Sequence, residues 1–180
     1  MTKTELEYDK AIEMCRDIFK KKLIDYGPSW RILRASSVTD QIFIKAKRIR
    51  TIETSGTSAV GEGILPEFMG IVNYSIIALI QLQLGCADSK DKTIDEALAL
   101  YDEKASEAKK LMMAKNTDYD EAWRMMRIGS YTDFILTKIE RIKEIEEHRG
   151  RTLVSEGIDA NYLDILNYAV FGIIKLTEQH

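Results

Sequence analysis

Acidic side chains stand near the start of two apolar segments, and their chemistry is the most informative in this sequence. Glu62 and Glu67 accompany the first segment, and Glu156 and Asp164 accompany the second. A carboxylate inside an apolar helix, such as Asp164, is costly to bury unless it reaches a cation, a metal ion or a hydrogen-bond donor. Hard oxygen ligands of this kind suit Mg²⁺ that is shared with a phosphate chain. These four carboxylates are therefore the candidate metal ligands.

Two pairs of cations have the spacing needed to hold phosphate. Each pair places a lysine and an arginine three residues apart on one helix face. The pairs are Lys45 with Arg48 and Lys138 with Arg141. An arginine contacts phosphate oxygens as a fork and a lysine contacts them as a point charge. A solvated helix face would explain the same spacing, so both interpretations stay open.

Two tryptophans and two asparagines complete the set of candidate binding residues. Trp30 and Trp123 lie among arginines, where an aromatic ring serves either as a packing group or as a platform for a nucleobase. Asn73 and Asn167 lie in apolar stretches and would either orient a substrate or bridge two helices. Packing is the commoner role for such a tryptophan, whereas neither role is favoured for the asparagines.

Composition excludes several other classes of function. His148 and His180 are the only histidines among 180 residues, so a histidine triad or a multi-histidine metal site is nearly excluded. The 26 lysines and arginines against 29 aspartates and glutamates give a net charge of -3. Such a charge gives no general attraction to nucleic acid or to a membrane surface. Cys15 and Cys86 lie far apart in a chain without an apolar signal segment, which predicts reduced thiols and a cytoplasmic protein.

An internal repeat relates these candidate residues to one another. Asp25 and Tyr26 recur as Asp118 and Tyr119, an offset of 93 residues that also relates the tryptophans and the cation pairs. After a one-residue change in length the offset becomes 94, which relates the asparagines. The chain is therefore a tandem duplication. Two copies of this size normally pack as a pseudo-twofold pair and not as an extended solenoid.

Helical periodicity runs through both copies. Ile42, Ala46 and Ile49 follow the i, i+4, i+7 spacing of one buried helix face, and three isoleucines of the second copy repeat it. No segment has the strict alternation of a half-buried strand, so the sequence predicts an all-α protein. The predicted helices are 3–24, 28–35, 38–54 and 66–84 in the first copy, then 93–115, 120–128, 131–149 and 159–178 in the second.

Local signals mark where elements begin and end. Ser37 with Asp40, and Ser130 with Asp133, have the spacing of a capping box before the middle helix of each copy. Gly85 is a plausible helix stop, and the segment from Gly85 to Lys92 is the expected linker. The first repeat accordingly spans residues 1–85 and the second spans 92–180.

Three strings of residues in the second copy resemble a known family. The strings are Lys115-Asn116-Thr117-Asp118-Tyr119, Lys138-x-x-Arg141, and Glu156-Gly157-Ile158 leading into Asp164-Ile165-Leu166-Asn167-Tyr168-Ala169. They resemble the nucleotide-modification-associated domain, and the resemblance covers both repeats. That family is in turn similar to the MazG-like all-α nucleotide pyrophosphohydrolases.

The resemblance implies two tandem MazG-like helical units that act on nucleoside triphosphates. In the MazG-like enzymes, acidic motifs on two helices hold Mg²⁺, and water cleaves the chain between the α and β phosphates. By this comparison Glu67 and Asp164 are the expected catalytic residues. The second acidic motif is split, because the first copy keeps only the glutamate and the second copy keeps only the aspartate.

Two functions are consistent with these residues. The first is a Mg²⁺-dependent nucleotide phosphohydrolase or a related nucleotide-processing protein, acting on ordinary or modified nucleotides. The alternative is a non-catalytic helical module that binds a nucleotide or a protein partner, which the split acidic motif favours. Neither function calls for a membrane or a nucleic acid as partner, and both leave room for a homo-oligomer.

Overall fold

Six α-helices and two short 3₁₀ turns form the described part of the chain. The computed structural model describes residues 1–56, 63–153 and 156–178. No β-strand occurs within those ranges, so the all-α prediction is confirmed. The elements are α1 (Lys3–Tyr26), a first 3₁₀ turn (Ser29–Ile32), α2 (Ala35–Ser55), α3 (Leu65–Leu84), α4 (Ile94–Tyr119), a second 3₁₀ turn (Ala122–Met125), α5 (Ile128–Glu147) and α6 (Ile158–Glu178).

The first helix of each repeat begins with a capping box. The Thr2 hydroxyl accepts a hydrogen bond from the Glu5 amide at 3.2 Å, and the Glu5 carboxylate accepts one from the Thr2 amide at 2.8 Å. Thr93 and Glu96 repeat the arrangement at the start of α4, at 3.1 and 3.0 Å. Each box satisfies backbone donors that a helix start otherwise leaves unpaired.

The capping boxes predicted for the middle helices are wrong. α2 and α5 each begin two residues ahead of the predicted serine, so Ser37 and Ser130 already lie in the first helical turn. Arg34 and Arg127 hold the N-cap positions in extended conformation, and neither side chain makes a capping hydrogen bond. The short 3₁₀ turn ends sooner than the sequence suggested, which lets the helix start earlier.

α3 and α6, one from each repeat, pack against each other at the centre of the hydrophobic core. A Cβ atom at Gly172 of α6 would lie only 3.0 Å from the Phe68 ring of α3, so glycine permits the close approach. α2 covers α3, α5 covers α6, and α2 also contacts α5. The isoleucines predicted to turn inward are fully buried, namely Ile42, Ile49, Ile135, Ile139 and Ile142.

α1 and α4 each reach across to the other repeat. The Tyr8 hydroxyl on α1 donates to Asn167 Oδ1 on α6 at 2.6 Å. The Tyr101 hydroxyl on α4 donates to Asn73 Oδ1 on α3 at 2.8 Å. These two reciprocal bridges fit a pseudo-twofold arrangement of the repeats, which itself stays a prediction.

The segment that joins the repeats is anchored by a buried arginine. Gly85 ends α3 with a φ of 76°, a conformation that favours glycine, as the sequence predicted. Arg31 is 3% exposed. Its guanidinium donates to the Gly85 carbonyl at 2.8 Å and to Asp91 at 2.9 Å. The linker is therefore held against the first 3₁₀ turn.

One helix among the described residues, α3, is long and apolar enough to cross a membrane by length and composition. In this fold 67% of its apolar window is buried inside the protein. That burial comes from its packing between α2 and α6, which is how the core helix of a folded domain is covered.

Candidate functional site

A cavity of about 540 Å³ opens in the first repeat, between α1, the first 3₁₀ turn, α2 and α3. Its size falls within the range of small-molecule sites. Cationic, acidic and aromatic side chains all line it, and among them are Lys22, Trp30, Lys45, Glu67 and Tyr74. Four of the residues predicted to act in chemistry or binding therefore meet here, namely Trp30, Lys45, Glu67 and Asn73.

Two lysines give the cavity its positive charge. Lys45 on α2 lies 3.7 Å from Glu67 and 5.7 Å from the centre of the Tyr74 ring, so its ion pair is a loose one. Lys22 on α1 is exposed, and neither an ion pair nor a hydrogen bond links its ammonium to another residue in the described ranges. An anion that entered the cavity would find both ammonium groups available.

Glu67 on α3 is mostly buried and is held by the predicted cation pair. Arg48 Nη1 donates to its carboxylate at 3.0 Å, and Lys45 lies on its other side. Glu67, Lys45 and Arg48, each predicted separately as a site residue, thus lie together at the cavity. Its charge is largely balanced by those two groups, which leaves Lys22 as an additional positive charge at the cavity.

Aromatic rings line the other part of the cavity. Trp30 is 9% exposed and packs against Phe19, with ring centres 6.0 Å apart. Tyr26 is 65% exposed at the end of α1, and Tyr74 lies on α3. Trp30 therefore belongs to the core and also presents an edge of the cavity wall, so it serves as packing whether or not a ligand stacks near it.

The second repeat places an acid where the first repeat has a glycine. Gly70 and Asp164 are equivalent at the offset of 94, as are Lys45 and Lys138 at the offset of 93. The Asp164 carboxylate is 7% exposed and lies 2.7 Å from the Lys115 ammonium and 2.9 Å from the Lys138 ammonium. Lys115 is the counterpart of Lys22 in the first repeat.

The ion pair with Asp164 raises the pKa of Lys115. Burial alone would lower the pKa, but the hydrogen bond to Asp164 and the charge of that carboxylate outweigh it and raise the pKa of Lys115 above 10.5. The exposed carboxylate of Glu156 acts in the same direction.

In the first repeat, a Cβ at Gly70 would lie 2.7 Å from Cδ and Cε of Lys45, so the lysine stem occupies the space that an acid would need.

A second exchange between the repeats affects the tryptophans. Phe171 stacks on Trp123 with ring centres 4.2 Å apart and planes inclined by 5°. Its counterpart in the first repeat is Ile77, which lines the cavity near Trp30. The second repeat thus has a stacked aromatic ring at the position where the first repeat has an aliphatic side chain that lines the cavity.

Both asparagines bridge helices, one of the two roles left open by the sequence. Asn73 Nδ2 donates to the Cys15 carbonyl at 3.0 Å, and Asn167 Nδ2 donates to the Ala108 carbonyl at 3.1 Å. Their side-chain oxygens accept from the tyrosines described above. Asn167 is buried, whereas Asn73 also lines the cavity.

The described carboxylates do not form a donor set that fits Mg²⁺. Glu67 and Asp164 each face two cations of their own repeat, Glu156 is exposed, and Glu62 lies outside the described residues. Two cations beside a carboxylate offset the negative charge that a divalent ion requires. The described ranges also hold no group of three or more histidine, cysteine or acidic residues placed to share a metal.

Sequence reasoning missed the two lysines of α1 and α4. Lys22 and Lys115 are related by the same offset of 93 as the other pairs, which was the available signal. Arg141, in contrast, was predicted to bind phosphate and lies exposed on α5. The part played by every predicted site residue in binding or catalysis stays a prediction.

Comparison with known proteins gives one result. The model of the family described as nucleotide modification associated domain 1 matches residues 22–82 and 115–176. The two segments begin at Lys22 and Lys115, so the match reproduces the offset found within the sequence. No curated protein and no solved structure matches the chain. Since the matched segments cover more than half of its length, the chain belongs to the nucleotide modification associated domain 1 family and carries that domain in two tandem copies.

Proposed function

We propose that this protein is a helical nucleotide-binding module whose ligand occupies the cavity of the first repeat. One difference between the repeats carries the proposal: the second repeat has Asp164 where the first has Gly70. In the second repeat an internal carboxylate pairs with both lysines. In the first repeat the equivalent Lys22 and Lys45 line an open cavity, where Lys45 has only its loose ion pair with Glu67 at 3.7 Å.

A phosphate group suits the space between these two lysines. Lysine binds phosphate as a point charge with several donors, and each such charge-assisted contact contributes on the order of 1.5–3 kcal/mol. The cavity also has aromatic walls, which accept a nucleobase of any identity by stacking. Cations and rings side by side in one cavity favour a nucleotide over a simple anion or an apolar ligand.

Calorimetric titration with ordinary and modified deoxynucleotides tests the proposal. Lys22→Met and Lys45→Met keep the side-chain length and remove the charge, so each is expected to weaken binding by about 10-fold to 100-fold. Lys20→Met and Lys47→Met are matched controls, since both lysines are exposed on the same two helices and do not line the cavity. Equal affinity in all four variants would contradict the proposal.

Hydrolysis is the second candidate function, and the position of Glu67 favours it. This carboxylate lines the same cavity as the two lysines and therefore stands beside any bound phosphate chain. The resemblance to MazG-like pyrophosphohydrolases would then extend to activity. Incubation with nucleoside triphosphates, with and without added Mg²⁺, distinguishes the two functions. Pyrophosphate release that Glu67→Gln abolishes would establish an enzyme, whereas binding without turnover would establish a binding module.

A further inference from the structure

We infer that the second repeat contains an occluded copy of the same binding site, in which Asp164 and Phe171 take the places of the ligand's phosphate and aromatic ring. The inference rests on the proposed function of the first repeat. It assigns opposite roles to two equivalent sites, one open to ligand and one filled by the chain itself.

The lysines of the second repeat already hold an anionic group between them. One carboxylate with two oxygens satisfies Lys115 and Lys138 at 2.7 and 2.9 Å. The lysine pair is thus able to close on a single small anion held between α4 and α5. Lys22 and Lys45 belong to the equivalent helices, α1 and α2, and line the cavity, but position 70 of α3 places no carboxylate between them. Glu67, one turn earlier on α3, lies 3.7 Å from Lys45 and pairs more closely with Arg48 at 3.0 Å. A single phosphate group from a ligand would supply the negative charge that Asp164 provides in the second repeat and Gly70 does not provide in the first.

The tryptophan of the second repeat already carries a stacked aromatic ring. Phe171 lies on Trp123 in a nearly parallel stack, the geometry in which a nucleobase stacks on an aromatic side chain. Ile77 stands at the equivalent position of the first repeat and cannot form such a stack. A planar ring of a ligand in the cavity would pack against the wall formed by Trp30 and Ile77.

The two positions at which the repeats differ, Asp164 and Phe171 in the second repeat, are spaced like the phosphate and the base of one ligand. Asp164 and Phe171 are seven residues apart on one face of α6, which is two turns or about 10 Å along the helix. Gly70 and Ile77 have the same separation on α3, and both line the cavity. An acid and a ring held at this separation have the length scale of a nucleoside phosphate. The ligand class is therefore a nucleotide that presents one phosphate to the lysines.

The number of ligands bound per chain tests the inference. The four common deoxynucleoside monophosphates are titrated calorimetrically into the wild type and into Asp164→Gly/Phe171→Ile, which gives the second repeat the residues of the first. We expect one ligand per wild-type chain and two per variant chain. Lys138→Met, added to the opened variant, is expected to return the number to one.

Three results separate the two proposals. A wild type that binds no nucleotide overturns the proposed function and this inference together. A wild type that binds one ligand, with a folded opened variant that also binds only one, overturns this inference alone. If circular dichroism shows the opened variant to be unfolded, Ile77→Phe decides, because a ring on Trp30 should reduce affinity at least tenfold. Unchanged affinity in Ile77→Phe would overturn the inference.

Discussion

Replacing Gly70 with aspartate should close the cavity of the first repeat. The new carboxylate would stand where Asp164 stands in the second repeat, within reach of Lys22 and Lys45. The Lys45 stem has to move, since a Cβ at Gly70 lies 2.7 Å from its Cδ and Cε. That movement is inexpensive because the stem is flexible, and Lys138 shows that an equivalent lysine is compatible with the acid.

The effect of Gly70→Asp on folding is expected to be small and favourable. Removing glycine from a helix interior contributes about 0.3 kcal/mol in favour of aspartate, and a partly exposed ion pair contributes about 0–1 kcal/mol. The movement of the Lys45 side chain, and the like charge of Glu67 three residues earlier on α3, offset part of this gain. For a chain of this size, a net gain of up to 1 kcal/mol in the free energy of unfolding raises Tm by about 0–3 °C.

The effect of Gly70→Asp on binding is expected to be large. The ligand's phosphate would lose two charge-assisted contacts of about 1.5–3 kcal/mol each and would meet a like charge, so affinity should fall at least about 100-fold. Calorimetry measures the binding and a thermal melt verifies the fold. Gly70→Asn is the matched control, because it has the same shape without the charge and should weaken binding less. If Gly70→Asp binds nucleotide as tightly as the wild type while remaining folded, the cavity is not the binding site.

Three further predictions concern buried groups. Tyr8→Phe should lower the free energy of unfolding by about 1–3 kcal/mol in a denaturant titration, because it leaves the buried oxygen of its asparagine partner without a donor. A thiol reagent at pH 8 should label one cysteine per native chain and two per denatured chain, since burial raises the pKa of Cys15 to about 12 whereas Cys86 is exposed. The pKa of Lys115 is higher in the folded protein than in the unfolded chain, where it is about 10.5. The charged lysine therefore stabilises the fold fully below pH 10.5, and this stabilisation is lost as pH rises through the pKa of the folded state. The loss of stability as pH rises above about 10.5 should therefore be less steep in Lys115→Met than in the wild type, and identical slopes would contradict the pairing with Asp164.

Local and periodic properties of the sequence predicted most of the fold. The isoleucine spacing placed the middle helix of each repeat, α2 and α5, because a buried helix face repeats every 3.6 residues whatever it packs against. The capping boxes were misplaced because the serine and aspartate spacing occurs inside helices as well as at their starts. Thr2 and Thr93, which do cap helices, have the same local pattern with glutamate.

The candidate site was only partly predictable, since it depends on which helices meet. Lys45, Arg48 and Glu67 were each predicted as site residues, but the ion pairs between them were not, because the sequence assigned the acid to a metal ion and the cations to phosphate. Lys22 reaches the same cavity from α1, and no spacing within the sequence links it to α2 or α3. The sequence shows that Gly70 stands where the second repeat has Asp164, but only the structure shows that two lysines, Lys22 and Lys45, line the cavity beside it.

The reciprocal tyrosine–asparagine bridges make each half of the chain depend on the other. Each bridge crosses between halves, so a lone half would keep Asn73 without Tyr101 and would leave α3 without its partner α6. A protein with a single copy would need to pair with a second copy of itself to obtain the missing tyrosine and the missing helix. The tandem arrangement keeps the two copies together at any protein concentration, which separate copies could not do.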